Sequence, residues 1–252
     1  MMSTLLINTR PKHRGQAIRQ MTGIAVVDLP LLDIQTLPMT EAKASMMRAW
    51  LDHDYDVLVV TSVESARRAL EYLDKLHGGY HWQSKLPDTP IVAVGLATAK
   101  VLTDRGLSVV LPRVANNEGM LVMAEIQSLI SGSRLLIWRG AGGRKLLHET
   151  LKARGVQIDV IRWYERFIPI DLMDNFQKNL KIINEKADVF VIISSEMAYQ
   201  AWRRLPHHRQ YHYLALGERL KNIIHAYEPD VMVDELVTLE PTEIYQVIHQ
   251  NI

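Results

Sequence analysis

Apolar residues in this chain fall into short unbroken runs. Residues 5–7 (a strand ending at Asn8), 57–60, 135–138 and 189–193 are the clearest, each three to five residues long and bounded by polar positions. Such runs fit strands buried on both faces of a parallel sheet. A basic turn and a helix are expected after the first and third runs, over 12–21 and 144–153. Gly23 and Gly155 then close these helices, where a left-handed cap needs no Cβ. The second and fourth runs lead into helices opened by Ser62 and by Ser194 or Ser195. Glu64 and Glu196 follow at Ser-x-Glu spacing, so a hydroxyl and a carboxylate are offered to the exposed amides of the first turn. A further strand ends at Gly95 in one half and at Gly217 in the other, each ahead of a helix. Strands alternating with helices predict parallel sheets covered on both faces.

The two halves repeat one another. Asp56-Val57-Leu58-Val59-Val60-Thr61-Ser62-Val63-Glu64-Ser65-Ala66 aligns with Asp188-Val189-Phe190-Val191-Ile192-Ile193-Ser194-Ser195-Glu196-Met197-Ala198, an offset of 132 residues. Leu5-Leu6-Ile7 aligns with Leu135-Leu136-Ile137, Gly23 with Gly155, and Ala93-Val94-Gly95 with Ala215-Leu216-Gly217. Four matches in one order at nearly constant offset predict an internal duplication. Two extended segments, 28–38 and 159–169, are longer than αβ connections need. Read as paired cross-overs, they divide the chain into a discontinuous first α/β lobe, 1–35 with 169–252, and a second, 38–166. The cross-overs themselves occupy 29–38 and 160–169. The predicted fold is two Rossmann-like or flavodoxin-like lobes with parallel sheets, linked by a two-stranded hinge ladder.

Composition narrows the chemistry. There is no cysteine among the 252 residues, which excludes disulfides, thiolate metal sites and cysteine nucleophiles. A net charge of +1 gives no global field toward nucleic acid or membrane, so any anion site must be local. Residues 1–7 lack the basic flank and apolar core of a signal peptide, and no apolar run has the length of a membrane span. A cytoplasmic monomer is therefore expected.

Several motifs, taken in order, resemble the uroporphyrinogen-III synthase family. They are Thr9-Arg10-Pro11, Leu29-Pro30-Leu31, Thr61-Ser62 before a helix, Ala93-Val94-Gly95-Leu96-Ala97-Thr98-Ala99, Asn117-Glu118-Gly119, Arg139-Gly140-Ala141-Gly142-Gly143-Arg144 and Tyr164-x-Arg166. The resemblance runs from about residue 5 to 220. It implies two α/β lobes joined by a two-stranded ladder and a reaction without cofactor or metal. That reaction takes hydroxymethylbilane to uroporphyrinogen III with loss of water and inversion of ring D, through a proposed spiro intermediate. The substrate is a small linear tetrapyrrole, and the preceding hydroxymethylbilane-forming enzyme becomes a possible partner. The chain departs from the family at Gly217-Glu218-Arg219-Leu220-Lys221, where relatives often carry Gly-Pro-Thr-Thr-Ala, so a hydroxyl is missing from that turn.

The substrate carries eight carboxylates and must be folded so that attack falls on the substituted carbon of the last ring. Positioning of this kind can replace roughly 7–11 kcal/mol of barrier. By resemblance, Tyr164 is the general acid that helps hydroxide leave, a role worth about 10²–10⁴-fold. Read from the residues alone, Tyr164 packs in the hinge ladder. Carboxylates need donors, and helix N-termini after parallel strands supply them. Thr61, Ser62, Gly95, Thr98, Arg139, Gly140, Ser194, Ser195 and Gly217 all stand at such turns and are expected to bind substrate from two rows facing one groove. The bland alternative for the serines is helix capping. Arg10, Arg14, Arg139 and Arg144 add charge near the first turns, where bidentate pairing suits carboxylates.

Other signals carry less. The 139–144 turn lacks the Gly-Lys-Ser/Thr ending of a phosphate loop and the third glycine of a dinucleotide fingerprint. His207, His208 and His212 read as a solvated loop without an acidic ligand, not a metal site. The five tryptophans are scattered and make no nucleic-acid platform. The methionines read as core filler. A two-lobed sensor for an anionic metabolite is the alternative function, since hinged lobes can close on a ligand without chemistry.

Overall fold

The computed structural model describes residues 4–12, 14–78, 82, 84, 86–143, 145–206 and 209–252. Two compact units divide the chain. One takes the residues up to Ile34 and from Phe167 onward, and the other takes Gln35–Arg166. The first unit opens with β1 (Thr4–Asn8), α1 (Gln16–Arg19) and β2 (Ala25–Asp28), and β3 (Asp33–Thr36) carries the chain into the second. There follow α2 (Glu41–Leu51), β4 (Val57–Val60), α3 (Val63–Leu76), β5 (Ile91–Ala93), α4 (Leu96–Thr103), α5 (Asn117–Leu121), α6 (Ala124–Gln127), β6 (Arg134–Gly140) and α7 (Leu146–Ala153). The chain returns through β7 (Gln157–Phe167). It closes with α8 (Leu172–Asn184), β8 (Asp188–Ile193), α9 (Glu196–Trp202), β9 (His212–Leu216), α10 (Glu218–Tyr227), β10 (Met232–Leu236) and α11 (Pro241–His249).

In the first unit the strands lie in the order β10-β9-β8-β1-β2, with every neighbouring pair parallel. Counted along the chain within the unit this is 2-1-3-4-5, the flavodoxin-like doubly wound order, whose direction of growth reverses between β1 and β8. Successive side chains feed two cores, as strand geometry requires. Leu5, Ile7, Val189 and Val191 pack with Phe176, Tyr199, Trp202 and Ile224 from α8, α9 and α10. Leu6, Phe190, Ile192 and Leu214 pack with Ile18 of α1 and Ile244 and Ile248 of α11. Both sets are buried, which is why the runs read as unbroken apolar stretches. Past the end of β2 the amides of Leu29 and Leu31 continue the ladder to the carbonyls of Asn8 and Thr9, at 2.9 and 3.1 Å. Pro30 lies between them on an edge strand, where its missing N–H costs no pairing.

The second sheet runs β3-β7-β6-β4-β5, and the pairs from β7 to β5 are parallel. Its growth reverses between β6 and β4, so these strands hold the places that β1 and β8 hold in the first sheet. Val57, Val59, Leu135 and Ile137 pack with Met120, Ile126, Leu147 and Leu151 from α5, α6 and α7. Elsewhere in this unit Trp138 of β6 meets Trp50 of α2 and Trp163 of β7 edge-on, at centroid distances of 5.1 and 6.1 Å. Three tryptophans scattered in sequence are thus one buried cluster. The two cross-over segments pair with each other: Leu37 N donates to Trp163 O at 3.0 Å, and Gln35 Nε2 donates to Glu165. This ladder is continuous with the second sheet because β7 runs for eleven residues.

Several expectations need correction. The helix over 12–21 shrinks to the four residues of α1, because the amides of Arg14 and Gly15 close a separate turn on Pro11 O. The helix over 144–153 begins at Leu146, and Arg144 lies outside the described residues. Gly155 does close α7: its amide bonds Lys152 O and that of Val156 bonds Leu151 O, a Schellman pair, with Gly155 at φ 84°. His212 is not in a solvated loop. It lies buried on β9, with Nε2 2.6 Å from Asp234 Oδ2 and its ring stacked on Phe190. His207 and His208 lie outside the described residues. Met47 and Met120 are core, but Met173, Met197 and Met232 are exposed. Among the described residues no helix is long and apolar enough to cross a membrane.

Candidate active site

In the second unit the carboxyl ends of β4, β6 and β7 open on a cleft of about 220 Å³. It lies at the point where strand order reverses, the place where open α/β sheets bind ligands. Thr61 and Ser62 follow β4, Arg139 and Gly140 end β6, and Tyr164 stands on β7. All five line the cleft, joined by Asn116, Asn117, Gly142, Gly143, His148 and Arg166.

Ser62 is the hub of this arrangement. Its Oγ accepts from the amide of Ser65 at 3.1 Å, capping α3. The same oxygen accepts from the Tyr164 hydroxyl at 3.2 Å. Capping and site construction are therefore one interaction set. Glu64 does not reach back to the helix start, because it pairs with Arg68 one turn on, at 2.6 Å. Thr61 donates through both its amide and its hydroxyl to Trp138 O, at 3.0 and 3.3 Å, and so fixes the turn rather than offering a free hydroxyl.

Tyr164 is 4% exposed, and its place depends on Gly140. The ladder between β6 and β7 slips by one residue after Arg139, so that Gly140 pairs with Tyr164. A Cβ on Gly140 would lie 2.6 Å from Cζ and 2.9 Å from the hydroxyl oxygen of Tyr164. Only glycine leaves room for the ring. Ala141 N then donates to Tyr164 O at 2.7 Å, and Gly142 and Gly143 turn the chain away at φ 76° and 81°. Arg139 is half-buried and holds this turn: its Nε donates to Gly140 O at 3.2 Å, and Nη2 donates to Gly142 O. Burial first, and then the neighbouring Arg162, lowers its pKa from the usual arginine value, with Tyr164 opposing. An arginine so placed remains a cation. Its charge reaches the cleft, but its donors are partly spent on the backbone.

Gly95 caps α4 at the same end of the sheet, and a Cβ there would come within 3.3 Å of Ala115. Thr98 is 4% exposed and offers no open hydroxyl. Arg10, Ser194, Ser195 and Gly217 belong to the first unit, at the equivalent ends of β1, β8 and β9. There Ser195, not Ser194, caps α9, accepting from Ala198 N at 3.2 Å, so Ser-x-Glu is not the spacing of this cap. Gly217 sits at φ 82°, a left-handed conformation that favours glycine, whereas its counterpart Gly95 is extended. After this glycine, Arg219 pairs with Glu196 at 3.3 Å. Burial, then Arg14, lowers the pKa of Arg10. Asn116 and His148 were not among the expected site residues. Asn116 had a legible signal, an Asn three residues before Gly119, whose amide it caps at 2.7 Å.

The model of the family described as uroporphyrinogen-III synthase HemD matches residues 16–239. The chain belongs to the uroporphyrinogen-III synthase family. The uroporphyrinogen-III synthase of Salmonella typhimurium is 27% identical over 230 residues, covering 86% of this chain and 89% of that one. The Escherichia coli enzyme of the same name is 33% identical over 132 residues, 52% of each chain. Solved synthase structures share the fold. A mutant of the Thermus thermophilus enzyme aligns with a TM-score of 0.66 at 16% identity, over 99% of both chains. The Helicobacter pylori enzyme aligns at 0.62 and 16%, over 98% of this chain and all of that one.

Proposed function

We propose that this chain is a uroporphyrinogen-III synthase, closing hydroxymethylbilane into uroporphyrinogen III with inversion of ring D and loss of water, in haem biosynthesis. The family match over residues 16–239 carries the reading. The cleft beside Tyr164 supplies a place for the chemistry. The carbon–oxygen bond of the hydroxymethyl group breaks as the oxygen takes a proton and departs as water. The azafulvene cation left behind is attacked by the substituted carbon of ring D, and rearrangement and closure release one proton. In this reading the Tyr164 hydroxyl gives the first proton, and the proton lost at closure restores it. Ser62 holds the hydroxyl in place, 3.2 Å away. In the same reading Asn116, Asn117, His148 and Arg166, which line the cleft, orient pyrrole carboxylates. A phenol is a weak acid, so most of the acceleration is assigned to folding the substrate. A cytoplasmic monomer is the form proposed; the lack of cysteine is compatible with a reducing compartment. The relatives carry the name of an enzyme, and no observation favours a non-catalytic sensor.

A coupled assay tests the function. Hydroxymethylbilane is generated in place by its own synthase, the product is oxidised, and the porphyrin isomers are separated. The type III isomer is expected. Spontaneous closure gives type I, and type I alone at catalytic protein concentrations would end the reading.

A further inference from the structure

Beside the cleft, the neighbouring strands β6 and β7 of the second sheet carry positive charge without compensation. Arg139 on β6 and Arg162 on β7 are register partners, side by side on parallel strands. Like charges placed opposite one another in a sheet are unfavourable. A third cation, Lys43, lies near Arg162. Leu37 N is bonded to Trp163 O, and the next residue, Pro38, accepts from Lys43 Nζ at 2.9 Å. The Lys43 ammonium is therefore held beside the ladder pair of Leu37 and Trp163, and Trp163 is the residue after Arg162. Burial, and then Arg162, lowers the pKa of Lys43, as repulsion at close range should.

No carboxylate among the described residues pairs with Arg139, Arg162 or Lys43. Elsewhere in the unit Arg48, Arg68, Arg105 and Arg134 each pair with an Asp or Glu. The carboxylates nearest in sequence are engaged, Asp159 accepting from the Tyr55 hydroxyl at 2.7 Å. Glu165 accepts from Gln35, and Glu41 pairs with Arg48. Arg139 is already committed to the carbonyls of Gly140 and Gly142, which leaves Arg162 and Lys43 as the cations with donors to spare. Arg139 lines the cleft, and Arg162 is its register partner on the next strand. A fold that gathers cations beside its cleft, and supplies no counter-charge, has a place for an external anion.

We propose that Arg162 and Lys43 form a carboxylate subsite flanking the cleft, which takes one acidic side chain of the tetrapyrrole and so fixes the orientation of the ring that bears it. This rests on the tetrapyrrole reading above. Arg162 is a binding residue and not a source of protons, so it acts on affinity. Its fork suits a carboxylate bidentately, and the Lys43 ammonium adds a point charge.

The test is steady-state kinetics on hydroxymethylbilane for the whole chain and for Arg162→Gln, Arg162→Lys and Lys43→Gln, at low and high salt. Arg162→Gln should raise KM about tenfold, as loss of a charge-assisted contact does, with kcat within about twofold. Arg162→Lys should recover part of the affinity. The dependence of KM on salt should be shallower in both Gln variants. The melting temperature of Arg162→Gln should stay level or rise, because a repulsion is removed. A KM unchanged in both Gln variants, with a wild type that makes the type III isomer, overturns the subsite and leaves the function standing. A wild type that makes only type I removes the function itself. A fall in melting temperature with a parallel fall in kcat would make Arg162 structural and also overturns the proposal.

Discussion

Gly140 and Tyr164 show how one residue without a side chain sets the position of another. The register slip after Arg139 brings them together, and the missing Cβ makes room for the phenol. Gly140→Ala should therefore displace the ring. Overpacking of this kind costs about 1–3 kcal/mol, so a lower urea midpoint and a fall in turnover should appear together. Tyr164→Phe is the cleaner probe. It removes one hydrogen bond to Ser62, and should lower kcat by at least about tenfold while costing no more than about 1 kcal/mol of stability. Unchanged turnover would remove Tyr164 from the proton transfer. At this scale the sequence was partly legible. Tyr164 and Gly140 could be picked out by motif, but the bond from Tyr164 to Ser62 joins positions 102 residues apart, and no local pattern announces it. The commitment of Thr61 and Arg139 to the backbone was equally hidden, because it depends on which carbonyls the turns present.

The strands and helices were easier to read than their ends. Unbroken apolar runs of this length have few other solutions, and the glycine after α7 closes it as its position implied. The adjacent serines before α9 were ambiguous, since either residue type and position suits an N-cap. The aligned repeat pointed to Ser194, whereas the helix begins one residue later and uses Ser195. Ser195→Ala should cost about 1 kcal/mol of stability and Ser194→Ala less than half of that, as urea denaturation can check. Equal costs would show that capping does not distinguish them. The short α1 had no warning in its apolar spacing. The turn closed on Pro11, and the close approach of Gly15 to the Asn8 amide, 2.6 Å from where a Cβ would stand, override it.

At the scale of the whole molecule, the discontinuous first unit follows from two cross-overs in one long chain, and extended segments with no helical period marked where to look. The equivalent places of β1 and β6, and of β8 and β4, suit the duplication inferred from the 132-residue offset, though the glycines ending β5 and β9 have diverged in conformation. The first unit also buries a group of tyrosines. Burial raises Tyr199 and Tyr213, both bonded to Glu228, and pushes Tyr211 up to about 12. A phenol held protonated in the fold, but titrating near ~10 when unfolded, stabilises fully below that pH and loses its contribution as pH climbs toward 12. Urea midpoints should fall steeply between about pH 10 and 12. A flat profile there would contradict these burials.

The central physical claim is that the carboxyl ends of β4, β6 and β7 hold and fold a polycarboxylate. Amide hydrogen exchange with and without uroporphyrinogen III tests it most directly. Protection should concentrate in the second unit at 61–62, 116–117, 140–143 and 164–166. Protection confined to the opposite ends of the strands, or its absence at saturating product, would contradict the account.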